Sequence, residues 1–146
     1  MAQLSEKILQ DAWNKEHIKG TPSSNNCSGF IQTIIKDHGL TVLSNLNADG
    51  LVDHLNSNWA KIGTGQTGMV AAMLSAGQGK LVIVGAKSGE LGHGHGHLAV
   101  VLGRSNGSYP YLYGGSIGIA QTQGDKTLNY IFPKSKLDIL RYFAAP

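Results

Sequence analysis

Apolar residues recur every three to four positions through the first half of the chain. Between residues 3 and 17, for example, Leu4, Ile8 and Ala12 are spaced by four, which is the pattern of a helix with one buried face. Gly39 follows the second such stretch, at a position where a glycine commonly ends a helix. The predicted helices cover residues 3–17, 27–38, 48–62 and 66–76.

The pattern changes after Gly79 to short apolar runs bounded by glycine and turn residues. The runs LVIVG and LAVVLG are typical of buried strands, and SNGS at 105–108 is typical of a hairpin turn. The predicted strands cover residues 81–85, 98–103, 109–115, 127–132 and 136–144. Helices followed by strands indicate an α+β fold, with the N-terminal helices packed on an antiparallel β-sheet.

Length and charge narrow the class of protein further. A chain of 146 residues is predicted to form one domain spanning residues 1–146. It contains no run of 18 apolar residues, so no membrane span is expected. The acidic, amphipathic N-terminal segment lacks the order of a signal peptide. The net charge is +3, but lysine and arginine are scattered, so no nucleic-acid partner is expected.

Residues 63–68 read GTGQTG and satisfy the G-x-G-x-x-G pattern. That pattern binds dinucleotides when it follows a strand and opens a helix, because backbone amides then meet the pyrophosphate. Here the periodicity predicts a helix before the motif. The sequence therefore predicts a connector between two helices, and no cofactor.

The segment GELGHGHGHLAVVLG at 89–103 holds His93, His95 and His97 at alternate positions. Imidazoles spaced by two on a strand face the same side, but zinc requires further ligands that no nearby cysteine or histidine cluster supplies. No metal site is therefore predicted. His97 directly precedes a predicted strand, which would hold it in place as a general base requires. The alternative is a solvent-facing histidine at the edge of a strand.

Cys27 is the only cysteine, so the chain cannot form an internal disulfide. It follows the polar stretch SSNN and begins a predicted helix, where the positive helix end and unpaired amides stabilise a thiolate and an oxyanion. A small buried structural cysteine is the alternative. A cysteine and a histidine far apart in sequence can meet in the folded chain, so Cys27 and His97 are a candidate catalytic pair.

Three stretches carry a resemblance to a known family. They are GTPSSNNCSGFIQTI at 20–34, GHLAVVLG at 96–103, and YPYLYGGSIG at 109–118 with QTQG behind it. In this order they resemble the type VI secretion amidase effectors, the Tae family, over residues 13–143. These are small papain-like enzymes similar to NlpC-type endopeptidases, which cut peptidoglycan stem peptides. The resemblance implies a papain-like, NlpC-type fold.

The resemblance also implies a reaction and roles for single residues. The chain looks like the branch that cuts between γ-D-glutamate and meso-diaminopimelate, with Cys27 as nucleophile and His97 as general base. The backbone amide of Cys27 or Ser28 is the expected oxyanion donor. His93 and His95 match no position that the family pattern requires.

Related enzymes orient the imidazole with a third, usually polar, residue on the next strand. The matching position lies at or near Gly114, which has no side chain to offer. Tyr113, Ser116 or a backbone carbonyl are the substitutes that the sequence leaves open.

The resemblance implies delivery by a type VI secretion carrier component from the producer's cytoplasm into a recipient's periplasm, and a cognate immunity protein that blocks the cleft. We expect a monomer.

Two other functions stay open on the sequence. One is a transglutaminase-like acyltransferase on the same scaffold, and the other is a non-enzymatic module that binds metal or cell wall through the histidine loop.

Overall fold

The computed structural model describes residues 3–18, 27–42, 46–92, 94–114 and 121–146, except for the side chains of residues 16–18 and 27. Its helices are α1 (Glu6–Ile18), α2 (Cys27–Asp37), α3 (Ala48–Asn58), α4 (Gly65–Gly77), α5 (Ser88–Leu91) and α6 (Leu128–Ile131). Its strands are β1 (Ala60–Thr64), β2 (Val82–Ala86), β3 (His97–Ser105), β4 (Pro110–Gly114), β5 (Thr122–Thr127) and β6 (Arg141–Ala144). A 3-10 helix covers Lys134–Ile139. Within these residues, no helix has the length and apolar character needed to cross a membrane.

The six strands form one antiparallel sheet in the order β1-β6-β2-β3-β4-β5. Successive side chains of a strand point to opposite faces of the sheet, and those of β3 are buried on both faces. Leu98 and Val100 join a hydrophobic cluster with residues of α1, α2 and α3. Ala99 and Val101 join a second cluster with residues of α4. The predicted α+β fold, with N-terminal helices on an antiparallel sheet, is confirmed.

Three of the predicted elements are wrong in part. Residues 59–62 do not continue α3, because Ala60–Thr64 pair with β6 as an edge strand. The stretch 127–132 is largely helical, and residues 136–139 form a 3-10 helix before β6 begins. Edge pairing overrides local periodicity in the first case, since propensity is weaker than tertiary context.

The sequence also missed β5, whose residues TQGDKT contain no apolar run. Thr122 organises it instead. The buried Thr122 hydroxyl accepts hydrogen bonds from the backbone amides of Gly124, Asp125 and Lys126 at 3.0–3.1 Å. A polar edge strand held in this way has no hydrophobic signature in the sequence.

The GTGQTG motif forms the last two residues of β1 and the first four of α4, so the prediction of a connector between two helices is wrong. A Cβ on Gly68 would lie 2.5 Å from the carbonyl carbon of Gly63 and 2.7 Å from the Tyr142 ring. The glycines therefore allow β1, β6 and the first turn of α4 to pack closely. Because β1 pairs antiparallel with β6, the motif also lacks the parallel strand–helix–strand setting of a dinucleotide site.

Candidate active site

His97 is the first residue of β3 and is only 1% exposed. Its backbone pairs with Ala86 of the central strand β2. Its ring packs edge-on against Phe132, with the ring centroids 4.8 Å apart. The prediction that a strand holds His97 is confirmed, and the alternative of a solvent-facing histidine is wrong.

Cys27 is the first residue of α2, as the sequence predicts, while its side chain lies outside the described residues. Helix α2 packs against β3. The Phe30 ring lies one turn after Cys27 and 3.6 Å from where a Cβ on Gly114 would stand, a point equally close to Ala99 Cα. Ala99 is two residues after His97, so the first turn of α2 lies close to the first residues of β3.

Ser28 is fully buried and belongs to a hydrogen-bond network at the start of α2. Its hydroxyl donates to the Leu46 carbonyl oxygen. The Gln32 amide nitrogen donates to the same carbonyl at 2.8 Å and to Ser28 Oγ at 3.1 Å. The Ser28 hydroxyl is thus directed to the interior, and the role of the Ser28 backbone amide as oxyanion donor stays a prediction. Sequence reasoning missed Gln32, whose only signal is a polar residue inside the apolar run FIQTII.

Asp49 is a second residue that sequence reasoning missed. Its carboxylate accepts hydrogen bonds from the Ser88 backbone amide at 2.8 Å and the Ser88 hydroxyl at 2.6 Å. A Cβ on Gly96 would lie 2.6 Å from Asp49 Oδ1, so the carboxylate lies against the backbone that leads into His97. Its only signal in the sequence is an acid in the first turn of a predicted helix, after Asn47.

The Asp49 carboxyl stays ionised in this setting. Partial burial raises the pKa of Asp49, but the hydrogen bonds from Ser88 and the charge of Lys87 together outweigh it, and the pKa is lowered from its usual value. The carboxylate therefore places a fixed negative charge beside the start of β3.

The strand position expected for the third residue is held by Gly114, which has no side chain. Gly114 pairs with Ala99 and has a φ of +130°, a region that favours glycine. The hydroxyl of Tyr113 donates to Gln10 at 3.0 Å and to Gln123 at 3.3 Å. Tyr113 is therefore committed to the helix-covered face.

Tyr113 is also a poor acid. Burial, with the charge of Glu6 in second place, raises its pKa to about 12. Ser116, the other side chain considered for the third role, lies outside the described residues.

The other two histidines do not share the position of His97. His95 is exposed and precedes β3, and His93 lies outside the described residues. No three histidine, cysteine, aspartate or glutamate side chains come together as a metal-binding group in the described part of the chain.

A cavity of about 180 Å³ lies away from these residues, at the first turn of α4. Gly65, Met69 and Tyr142 are among the residues that line it. None of the predicted site residues borders this cavity, and its lining belongs to the face of the sheet opposite α2.

Comparison with known proteins shows the family to which the chain belongs. No family model matches the sequence. The peptidoglycan amidase Tse1 of Pseudomonas aeruginosa is 34% identical to it over 145 residues, which cover 97% of this chain and 88% of Tse1. The chain belongs to the Tse1 amidase family. The similarity spans helices α1–α3 and the whole sheet, so it includes both elements that carry Cys27 and His97, and the predicted resemblance to amidase effectors is confirmed.

Proposed function

We propose that the protein is a peptidoglycan amidase, a cysteine hydrolase that cuts the γ-D-glutamyl–meso-diaminopimelate bond of stem peptides. The observation that carries the proposal is the similarity to a peptidoglycan amidase along 97% of the chain. The beginning of α2 near the beginning of β3 supports Cys27 and His97 as the reacting pair, because both residues are the first of their elements.

The reaction proceeds through a thioester. The Cys27 thiol passes its proton to His97, and the thiolate attacks the γ-carbonyl carbon of D-glutamate. The carbon–nitrogen bond breaks as His97 returns the proton to the departing amine of diaminopimelate. Water then attacks the thioester with His97 as base, which releases the γ-carboxylate and restores the thiol.

Negative charge develops on the carbonyl oxygen in both steps. The first backbone amides of α2, at Cys27 and Ser28, are the donors we assign to it. A donor in such a position lowers the barrier by about 2.7–4 kcal/mol in other acyl-transfer enzymes. The positive end of the helix acts in the same direction and also favours the Cys27 thiolate.

The biological setting belongs to the same proposal. The protein acts as an antibacterial effector that a type VI secretion carrier component moves from the producer's cytoplasm to the recipient's periplasm. A cognate immunity protein blocks the site in the producer and its kin, and the enzyme works as a monomer. Size-exclusion chromatography tests the monomer. The antibacterial effect and its inhibition are tested by the survival of cells that express the protein in the periplasm, with and without a candidate immunity protein.

Digestion of purified peptidoglycan, followed by mass spectrometry of the fragments, tests the reaction. Wild type releases fragments with a new amino group on diaminopimelate and a free γ-carboxyl on D-glutamate. We expect Cys27→Ala and His97→Ala to lose at least about a thousandfold in rate, as other triad enzymes do. The double variant His93→Ala/His95→Ala is the matched control and keeps the wild-type rate, with or without a chelator.

Three results would contradict the proposal. Cutting by Cys27→Ala excludes the cysteine mechanism. Loss of cutting in the folded double variant would show that the histidine loop is required, as expected for a module that binds metal or cell wall through that loop. Fragments joined to an added amine instead of hydrolysed identify a transglutaminase-like acyltransferase.

A further inference from the structure

Residues 46–49, which lead into α3 and form its first turn, contact both elements that carry the candidate catalytic pair. On one side the Leu46 carbonyl oxygen accepts hydrogen bonds from Ser28 Oγ and from Gln32 Nε2. On the other side the Asp49 carboxylate accepts two hydrogen bonds from Ser88 and lies against Gly96. We call residues 46–49 the bridging segment.

Two buried side chains of α2 make the contact with the bridging segment. Gln32 is 7% exposed and Ser28 is fully buried. Both lone pairs of the Leu46 carbonyl are used, since it accepts from two side chains of α2. Gln32 also donates to the Ser28 carbonyl oxygen at 3.2 Å. A satisfied network in a low-dielectric interior is rigid, so the first turn of α2 has one position relative to the bridging segment.

The contact with the β3 side fixes the approach to His97. Ser88 begins α5 and is separated from β2 by Lys87 alone, and Gly96 immediately precedes His97. A side chain at Gly96 would meet both Asp49 Oδ1 at 2.6 Å and the Ala86 carbonyl oxygen at 2.9 Å. The carboxylate therefore packs where only glycine fits. Asn47 is the N-cap of α3, and its side-chain oxygen accepts a hydrogen bond from the Gly50 amide at 2.8 Å. This bond stabilises the start of the helix within the bridging segment.

We propose that Gln32 and Asp49 are positioning residues, which act through the bridging segment to set the Cys27 thiol against the His97 imidazole. The inference rests on the proposed function. Neither residue needs to touch substrate. Their effect is geometric, because a displacement of about 1 Å between reacting groups costs roughly a hundredfold in rate.

The variants Gln32→Met and Asp49→Ala remove the two contacts. Methionine has nearly the shape of glutamine but cannot donate to Leu46. Asp49→Asn is the conservative variant, since its oxygen still accepts from Ser88. Lys36→Met, on an exposed turn of α2, and Asp53→Ala, in an exposed ion pair of α3, are the matched controls.

The chain has a single cysteine, so a thiol reagent reports on Cys27 alone. The alkylation rate of wild type with iodoacetamide, followed against pH, gives the midpoint of thiolate formation. A histidine partner lowers that midpoint below the usual thiol value of about 8.5. A melting curve establishes that each variant is folded, and kcat and KM are measured on a soluble muropeptide.

We expect Gln32→Met and Asp49→Ala to move the alkylation midpoint towards the ordinary thiol value and to lower kcat about tenfold to a hundredfold, with KM within about threefold of wild type. Asp49→Asn keeps most of the wild-type kcat, and both controls match wild type. A structural role alone would lower the melting temperature and leave the midpoint in place.

The inference is overturned if Gln32→Met and Asp49→Ala are folded and have the same kcat and the same alkylation midpoint as wild type. Where Gln32→Met does not fold, Gln32→Asn, which keeps the donor but not the reach, replaces it and is judged by the same two readouts. The proposed function fails separately, through activity of Cys27→Ala. If Cys27→Ala and His97→Ala are inactive while the Gln32 and Asp49 variants behave like wild type, the proposed function stands and only the positioning inference is rejected.

Discussion

Single side chains beside the candidate site link its geometry to pH. Asp49 accepts two hydrogen bonds from Ser88, which with the charge of Lys87 lower its pKa despite partial burial. A carboxyl with a lowered folded-state pKa stabilises the fold at pH values above its unfolded pKa. That contribution is lost as the pH falls through the folded pKa. The hydrogen bonds that join α3 to Ser88 are therefore weakest in acid.

The variant Asp49→Asn tests this ionisation. At pH 7 we expect it to unfold at lower urea concentration than wild type, because a neutral amide binds the Ser88 donors less strongly than a carboxylate. The difference between the two midpoints begins to shrink as the pH falls below about 3.8, where the unfolded carboxyl is protonated, and it is lost below the lowered pKa of the folded carboxyl. A difference that stays constant from pH 7 to pH 3 would show that the charge contributes nothing. Asp53→Asn, on an exposed carboxyl of the same helix, is the control.

At the scale of elements, the junction of β1 and α4 depends on the absence of side chains. Gly63 and Gly68 contact each other across the turn, and Gly68 also meets the ring of Tyr142 on β6. Gly77, at the other end of α4, has no atom within 4 Å of the position of a Cβ. The same helix thus contains one glycine that packing requires and one that it does not.

Gly68→Ala and Gly77→Ala form a matched pair. We expect Gly68→Ala to lower the free energy of unfolding by about 1–3 kcal/mol or more, because its methyl group would overlap backbone atoms of Gly63. Gly77→Ala should be neutral or stabilising by up to about 1 kcal/mol, since alanine favours the helix. Urea unfolding of both variants measures this. Equal free energies for the two would mean that the close approach of β1 and α4 is not needed.

At the scale of the whole molecule, one sheet supports two hydrophobic clusters. Ile83 and Val84 are neighbours on β2, yet Ile83 packs with α1–α3 and Val84 packs with α4. Because each central strand contributes to both clusters, neither can lose its packing without disturbing the other. The assignment of residues 1–146 to one domain remains a prediction, and this arrangement leads us to expect cooperative unfolding.

Unfolding of Met69→Ala tests the cooperativity. Met69 packs in the cluster with α4, whereas both tryptophans, Trp13 and Trp59, pack with the other cluster. The substitution should cost about 2–5 kcal/mol. We expect the midpoint seen by tryptophan fluorescence to fall together with that seen by circular dichroism. Separate midpoints would indicate two units that unfold independently.

Much of the site was predictable because its signals are local in sequence. The start of α2 at Cys27 follows from SSNN and the apolar spacing after it, and LAVVL predicts a strand from residue 98, one residue after the observed start of β3. Gln32 and Asp49 were not predictable as parts of this site. Their partners, Leu46 and Ser88, lie 14 and 39 residues away, and no periodicity encodes such contacts.

The sequence by itself determined the α+β order, the buried central strands, the start of α2 and, to within one residue, the start of β3. These features depend on periodicity and on the properties of element ends, which neighbouring residues set. Only the tertiary structure decided that residues 60–64 form a strand, that polar β5 joins the sheet, and that residues 46–49 contact both site elements. Those outcomes depend on hydrogen bonds and close contacts between distant segments, whose energies appear only when the chain is folded.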